Sequence, residues 1–216
     1  VVSTQPGLRE RKKQQTRTAI ATAAVELFAS RGFEAVKVAE IAVRANVSEA
    51  TVFNYFPTKE DLIYSRLGDL RADMLESIRD RDRGRTISQA FRDFLFRQRP
   101  PGQTPAEQEA LLTLTRIIND SPSLLARERE INSRNTRELA ALIAREVGAP
   151  EDDISPWVVA NALMGVHQAL IVFTREQVLA GVPGPTIARR VRDQASKAFA
   201  ALEDGLAAYP PRTSVA

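Results

Sequence analysis

Glu49, Ala50, Phe53 and Asn54 are spaced to share one face of a short helix, with Val52 and Phe56 on the other. A small residue beside an aromatic is an odd composition for a solvated surface and a good one for the edges of DNA bases. Alanine and phenylalanine can touch thymine methyl groups, asparagine can pair with adenine, and glutamate can accept from the amino group of cytosine. Glu49 has a second reading, as an acid on the positive end of a helix that Ser48 caps. Nearer the start, Arg9, Arg11, Lys12, Lys13 and Arg17 crowd together with Glu10 as the only acid among them. Such a cluster suits the phosphates of a polyanion. It is also compatible with a solvated tail.

Helices must position these side chains, because nearly every segment has helical period and no run alternates as a strand would. Ile20, Ala23, Ala24, Leu27 and Phe28 line one face of a first helix that stops at Gly32, a left-handed cap. Val38, Ile41, Ala42 and Ala45 mark a second, short helix. Asn46 follows in a tight turn, where its side chain tolerates left-handed geometry. Ser48 then opens the third helix. Residues 38–55 thus read as helix, turn, helix, the arrangement in which the second helix enters the major groove. Beyond it, Thr58 opens a long helix over about Lys59–Arg83, ended by Gly84. Thr86 with Gln89 and Thr104 with Glu107 form capping-box patterns, and Pro100 and Pro101 separate the helices they begin. Ser121 and Ser155, each before a proline, begin two more, the first running to Gly148 and the second to about Ala180. A last helix covers about Thr186–Ala207, before a tail with Pro210 and Pro211. The expected fold class is all-α with about nine helices.

At 216 residues with 44% hydrophobic side chains, the chain has enough material for a sizeable core. No uninterrupted run of eighteen apolar residues occurs, and no apolar stretch follows the basic start, so neither a spanning helix nor a secretory signal is expected. The absence of cysteine excludes disulfides and thiolate metal sites and makes a cytoplasmic setting the simplest expectation. With one histidine, a metal centre is not expected, nor is any cofactor.

From Ala23 to Leu62 the chain reads AAVELFASRGFEAVKVAEIAVRANVSEATVFNYFPTKEDL. The AxxLFxxxGF end of the first helix, the IAxxAxVSxxTVFxYF core and the FPTKEDL junction resemble, in order and spacing, the DNA-binding domain of the tetracycline-repressor family. The resemblance implies that Ser48, Glu49, Ala50, Phe53 and Asn54 face the groove. It implies that Thr51, Tyr55 and Lys59 hold phosphates, with Arg44 a further contact, and that Arg9–Arg17 form an arm or helix extension along the backbone. Where the family often opens the second helix with threonine, this chain has Val36 and Lys37. A lost cap costs roughly 1 kcal/mol, while Lys37 brings a phosphate-seeking charge to the same place. The implied organisation is a helix-turn-helix domain with a basic arm over 1–58 and a helical effector-binding and dimerisation domain over 59–216.

In that family the later helices take a small molecule and pair two subunits. Phe91, Phe94, Leu95, Leu111, Leu114, Ile118 and Trp157 can build a core or line a pocket. Thr115, Asn161 and Met164 fit a pocket better, since a ligand cavity needs a few polar groups among apolar walls. A buried Asn161 would find its partner in a ligand, a second subunit or a backbone carbonyl. His167 is assigned to helix packing or the dimer interface, and Asp152 with Asp153 to helix-start chemistry. Val159, Leu163, Val166, Leu170 and Phe173 form one apolar stripe, and Val191, Ala195, Ala198, Phe199 and Leu202 another. Together they resemble the family's dimerisation pair, giving a four-helix bundle about a two-fold axis. The stretch LTLTRIINDSPSLLARE resembles members proposed to sense acyl-CoA-like molecules.

The expectation is a homodimeric, ligand-released repressor on a palindromic operator; an activator or dual regulator of the same fold is the alternative. An enzyme would need a nucleophile–base pair, a phosphate-cradling glycine loop or a metal constellation, and none is legible. A helical protein–protein adaptor would leave the Ala50, Phe53 and Asn54 face without a purpose.

Overall fold

Apolar residues recurring every three or four positions, between serine, threonine and proline starts, fold as that pattern dictates. In the computed structural model, residues 7–65, 67–98 and 102–206 are described, and all regular structure among them is helical. Ten helices follow in order: α1 Leu8–Arg31, α2 Val38–Arg44, α3 Glu49–Tyr55, α4 Asp61–Tyr64, α5 Leu67–Arg79, α6 Ile87–Arg97, α7 Pro105–Asn119, α8 Pro122–Val147, α9 Ser155–Leu179 and α10 Gly184–Leu206. Pro100, Pro101, Pro210 and Pro211 lie outside the described residues.

The structure differs from the periodicity at two places. The expected Lys59–Arg83 helix is divided into α4 and α5, and α5 stops at Arg79. Just beyond it the Arg81 side chain turns inward, donating to the Ile78 carbonyl at 2.7 Å and the Arg85 carbonyl at 3.2 Å, and pairing with Glu146 at 2.6 Å. A cation on a carbonyl of the last turn suits the end of a helix. The basic cluster, for its part, is helical: α1 begins twelve residues ahead of Ile20. Arg9, Lys13 and Arg17, at intervals of four, therefore form one ridge.

The chain divides into two units. The first comprises residues 1–67 with 116–127. Here α1 packs on α2 and α4, and α2 on α3, around buried Ile20, Phe28, Phe33, Val36, Ile41, Val52, Phe56 and Leu62. The turn between α7 and α8 belongs to this unit. The Glu34 carboxylate accepts from the Ser121 hydroxyl at 2.7 Å, the Ser123 hydroxyl at 3.1 Å and the Ser123 amide at 3.3 Å. Asp61 pairs with Arg127 at 3.3 Å, and the Tyr64 hydroxyl donates to the Leu124 carbonyl at 3.2 Å.

The second unit comprises residues 68–115 and 128–216. Its core joins Met74 and Ile78 of α5, Phe91 and Phe94 of α6, Leu139 and Ile143 of α8, Val159, Leu163 and Met164 of α9, and Ala195 and Phe199 of α10. The capping box at Thr86 and Gln89 is present in both directions, at 3.1 and 3.2 Å.

Candidate nucleic-acid interface

The geometry of α2, its turn and α3 follows from three local choices. Glu40 accepts the amide of Lys37 at 2.8 Å and the Arg31 guanidinium at 2.5 Å. This supplies one orphan donor at the start of α2 with a partner although no hydroxyl stands at position 37. Val36, the other departure from the family pattern, is buried in the core. Asn46 carries φ 54°, the left-handed geometry its side chain tolerates. Ser48 Oγ accepts the Thr51 amide at 3.1 Å and lies 2.8 Å from Thr51 Oγ1, capping α3.

Capped this way, α3 turns Val52 and Phe56 into the core, each 1% exposed. Glu49, Ala50, Phe53 and Asn54 stand on the outside, with Phe53 44% exposed. Thr51 and Tyr55 are half-buried beside that face. The Arg17 guanidinium lies 5.0 Å from the centre of the Phe56 ring, a cation–π contact that seats the end of the basic ridge against the residue closing α3. Arg9, Arg11, Lys12, Lys13 and Lys37 are exposed.

Two expected phosphate contacts are otherwise engaged. Lys59 Nζ donates to the Phe33 carbonyl at 2.5 Å and lies 4.2 Å from the Phe33 ring centre. Burial pushes its pKa down against the opposing charge of Glu34. Arg44 donates twice to Glu26, at 2.6 and 3.1 Å, on the exposed surface, where such a pair is weak and salt-screened. Glu26 and Glu34 have no motif of their own: their partners lie 18 and 87 residues away, beyond any periodicity. Val43, on α2, is 81% exposed.

Of the residues expected to form a pocket, Phe91, Phe94 and Met164 share the core of the second unit. Phe91 and Phe94 are buried in that core, their ring centres 6.4 Å apart. Thr115 is 3% exposed, Leu111 and Leu114 are half-buried, and Trp157 is 45% exposed. Asn161 is exposed, and its amide donates to the Trp157 carbonyl of its own helix at 2.7 Å. Asn161 and Met164 border an open groove of about 500 Å³ between α8 and α9. The expected dimer stripe also splits. Ala195 and Phe199 are buried within the subunit, Phe199 with its ring 6.2 Å from that of Phe91. Leu170 and Leu202 pack against that core, while Val191 and Phe173 are half-buried. His167 is half-buried, and its Nδ1 is buried without a hydrogen-bond partner. Asn135 Oδ1 and Ser88 Oγ of the same unit share that condition.

Residues 20–64 match the family model described as bacterial regulatory proteins, tetR family, and residues 85–207 match the one described as MftR C-terminal domain. The chain is 31% identical over 153 residues to the HTH-type transcriptional regulator TcmR of Streptomyces glaucescens, covering 68% of this chain and 67% of that protein. It is 28% identical over 163 residues to the transcriptional regulator MftR of Mycobacterium tuberculosis, covering 72% of this chain and 78% of that protein. In fold it is similar to NalD, the secondary repressor of the MexAB-OprM multidrug efflux pump in Pseudomonas aeruginosa, with a TM-score of 0.52 at 19% identity over 86% of this chain and 97% of NalD. With the helix-turn-helix built as described and two family models spanning both units, the chain belongs to the tetR family of bacterial regulatory proteins.

Proposed function

We propose that this protein is a ligand-responsive repressor that binds a palindromic operator as a homodimer and leaves it when a small molecule enters the helical body. The observation that carries the reading is the outward face of α3. Glu49, Ala50, Phe53 and Asn54 are held out by a capped helix whose other face is locked in the core. Residues 1–58 read DNA in this assignment and residues 59–216 sense and pair. Phe53 and Ala50 contact thymine methyls, Asn54 and Glu49 read base edges, and the ridge of Arg9, Lys13 and Arg17 with Lys37 tracks phosphates. In the dimer, two copies of α3 reach successive major grooves, about 34–36 Å apart.

The effector class to test first is an acyl-CoA thioester, on the strength of the resemblance carried by residues 112–128. Buried polar atoms without partners mark where a ligand would be held, and His167 Nδ1 and Asn135 Oδ1 are such atoms. The signal has a covalent route: α8 begins in the first unit and continues from Glu128 in the second. A ligand that binds one placement of α8 more tightly shifts the population toward it. The test is binding to a labelled fragment of the DNA adjoining the gene, across a salt series, for wild type and Asn54→Ala. Tight palindrome-protecting binding, lost in the variant and released by palmitoyl-CoA, is the expected result. Binding equal on unrelated DNA refutes the sequence-reading role, and no release leaves a regulator with a different effector.

A further inference from the structure

From Glu49 to Tyr55, α3 holds no arginine and no lysine. The commonest base-specific contact in DNA recognition is one of those two side chains on O6 and N7 of guanine. Cations elsewhere in the same unit are committed to other partners. Arg44 holds Glu26 at 2.6 Å, Lys59 the Phe33 carbonyl at 2.5 Å and Arg31 Glu40 at 2.5 Å, and Arg17 lies over the Phe56 ring. Lys37 is exposed at the start of α2, but the first helix of a helix-turn-helix crosses the backbone rather than the base edges. The hydroxyls at the start of α3 are engaged as well: Ser48 Oγ accepts the Thr51 amide and lies 2.8 Å from Thr51 Oγ1. What the helix presents is Glu49, Ala50, Phe53 and Asn54, all exposed. These supply two carboxylate acceptors, a methyl group, an aromatic ring and one amide.

In the major groove guanine offers only acceptors, O6 and N7. A carboxylate brought against them sets acceptor against acceptor and leaves both desolvated without a partner, which costs free energy. Adenine N6 and cytosine N4 are amino donors that Glu49 can take, and Asn54 matches N6 and N7 of adenine together. Thymine alone carries a C5-methyl group, the apolar partner that Phe53 and Ala50 fit. We infer that this protein reads its half-site through thymine methyl groups and the amino groups of adenine and cytosine, with no major-groove contact to guanine, and that the methyl group under Phe53 is a main determinant. The inference rests on the operator binding proposed above and names the class of sequence bound: half-sites dominated by A·T pairs, with guanine present only as the partner of a cytosine that Glu49 takes.

The test changes the DNA and leaves the protein whole. A duplex library with a randomised centre is selected on the full chain, and the enriched site is resynthesised with single bases replaced. Deoxyuridine in place of thymidine removes only the C5-methyl group. At a thymine in each half-site it should weaken binding about fourfold, the worth of one buried methyl group. Phe53→Ala should bind the thymine and uracil forms of that site equally. Phe53 is 44% exposed while Val52 and Phe56 anchor α3 in the core, so the variant keeps its fold, which circular dichroism checks. 7-Deazaguanine in place of guanine removes the N7 acceptor and should change binding at no position. An enriched site indifferent to uracil at every thymine overturns the inference. So does a loss on 7-deazaguanine as large as that expected for uracil, or a uracil loss that Phe53→Ala retains at every thymine. Each of those results leaves a sequence-reading regulator standing, because a site was enriched. A library from which no sequence emerges removes the operator-binding role and this inference with it.

Discussion

Ser121 Oγ donates to Glu34 across 2.7 Å while accepting the Leu124 amide at 3.1 Å. One hydroxyl thus caps α8 and ties that cap to the loop after α1. The Ser121 hydrogen bond is the main cause holding the Glu34 carboxyl below its ordinary range, with Ser123 and Lys59 adding to it and desolvation opposing. A depressed carboxylate pKa contributes stability at neutral pH and loses it as pH falls through the folded value. Ser121→Ala should cost about 1 kcal/mol, as lost caps do, in urea unfolding at pH 7. Glu34→Gln should flatten the acid limb of the stability curve. An unchanged acid limb would show that the Glu34 contacts contribute nothing in solution.

The DNA face and the basic ridge should fail differently. Asn54→Ala should lose about 1–3 kcal/mol of operator binding, with binding to unrelated DNA unchanged. Arg9→Ala or Lys13→Ala should weaken both equally and lower the salt slope by about one each. Fluorescence anisotropy on operator and scrambled duplexes over a salt series separates the two behaviours.

Glu26 restrains the cation expected at phosphate. The Glu26–Arg44 pair is exposed, so Glu26→Gln should change stability by no more than about 0.5 kcal/mol. Freed of its carboxylate, Arg44 should tighten binding to any DNA and steepen the salt slope by about one. Equal slopes for wild type and variant would mean that Arg44 stays away from the backbone in the complex.

His167 is the single histidine of the chain, and burial lowers its pKa against the opposing charge of Glu128. The folded state therefore resists protonating it, while the unfolded chain takes up a proton near the ordinary value of about 6.5. Stability should be full above that pH and should fall as pH drops from about 6.5 toward the folded value. His167→Gln should remove this step from a series of urea titrations, and an unaltered step would assign it to carboxylates.

Much of the site was legible because its determinants are local. The capping serine at 48, the left-handed Asn46 and the core-facing Val52 and Phe56 each act within a turn or two of chain. The outward set Glu49, Ala50, Phe53 and Asn54 follows from helical period alone. The all-helical architecture was legible for the same reason, since capping residues and a period near 3.6 need no tertiary partner. Where a distant side chain intervened, the pattern was silent. Arg81, just past the end of α5, turns onto the Ile78 carbonyl and onto Glu146, 65 residues away. Lys59 and Arg44 keep their family positions, yet Phe33 and Glu26 take their charges.

The body shows the boundary most sharply. Periodicity identifies Phe91, Phe173, Ala195 and Phe199 alike as apolar helix positions, because burial within a subunit and burial between subunits use the same side chains. Sequence by itself determined the all-helical class, the outward face of α3 and the family. Only the tertiary structure decided that Phe91, Ala195 and Phe199 are spent on the subunit's own core while Val158, Gly165 and Val172 are left outside. The physical reason is that a helix has one apolar period but several neighbours, and packing alone settles which neighbour each face meets.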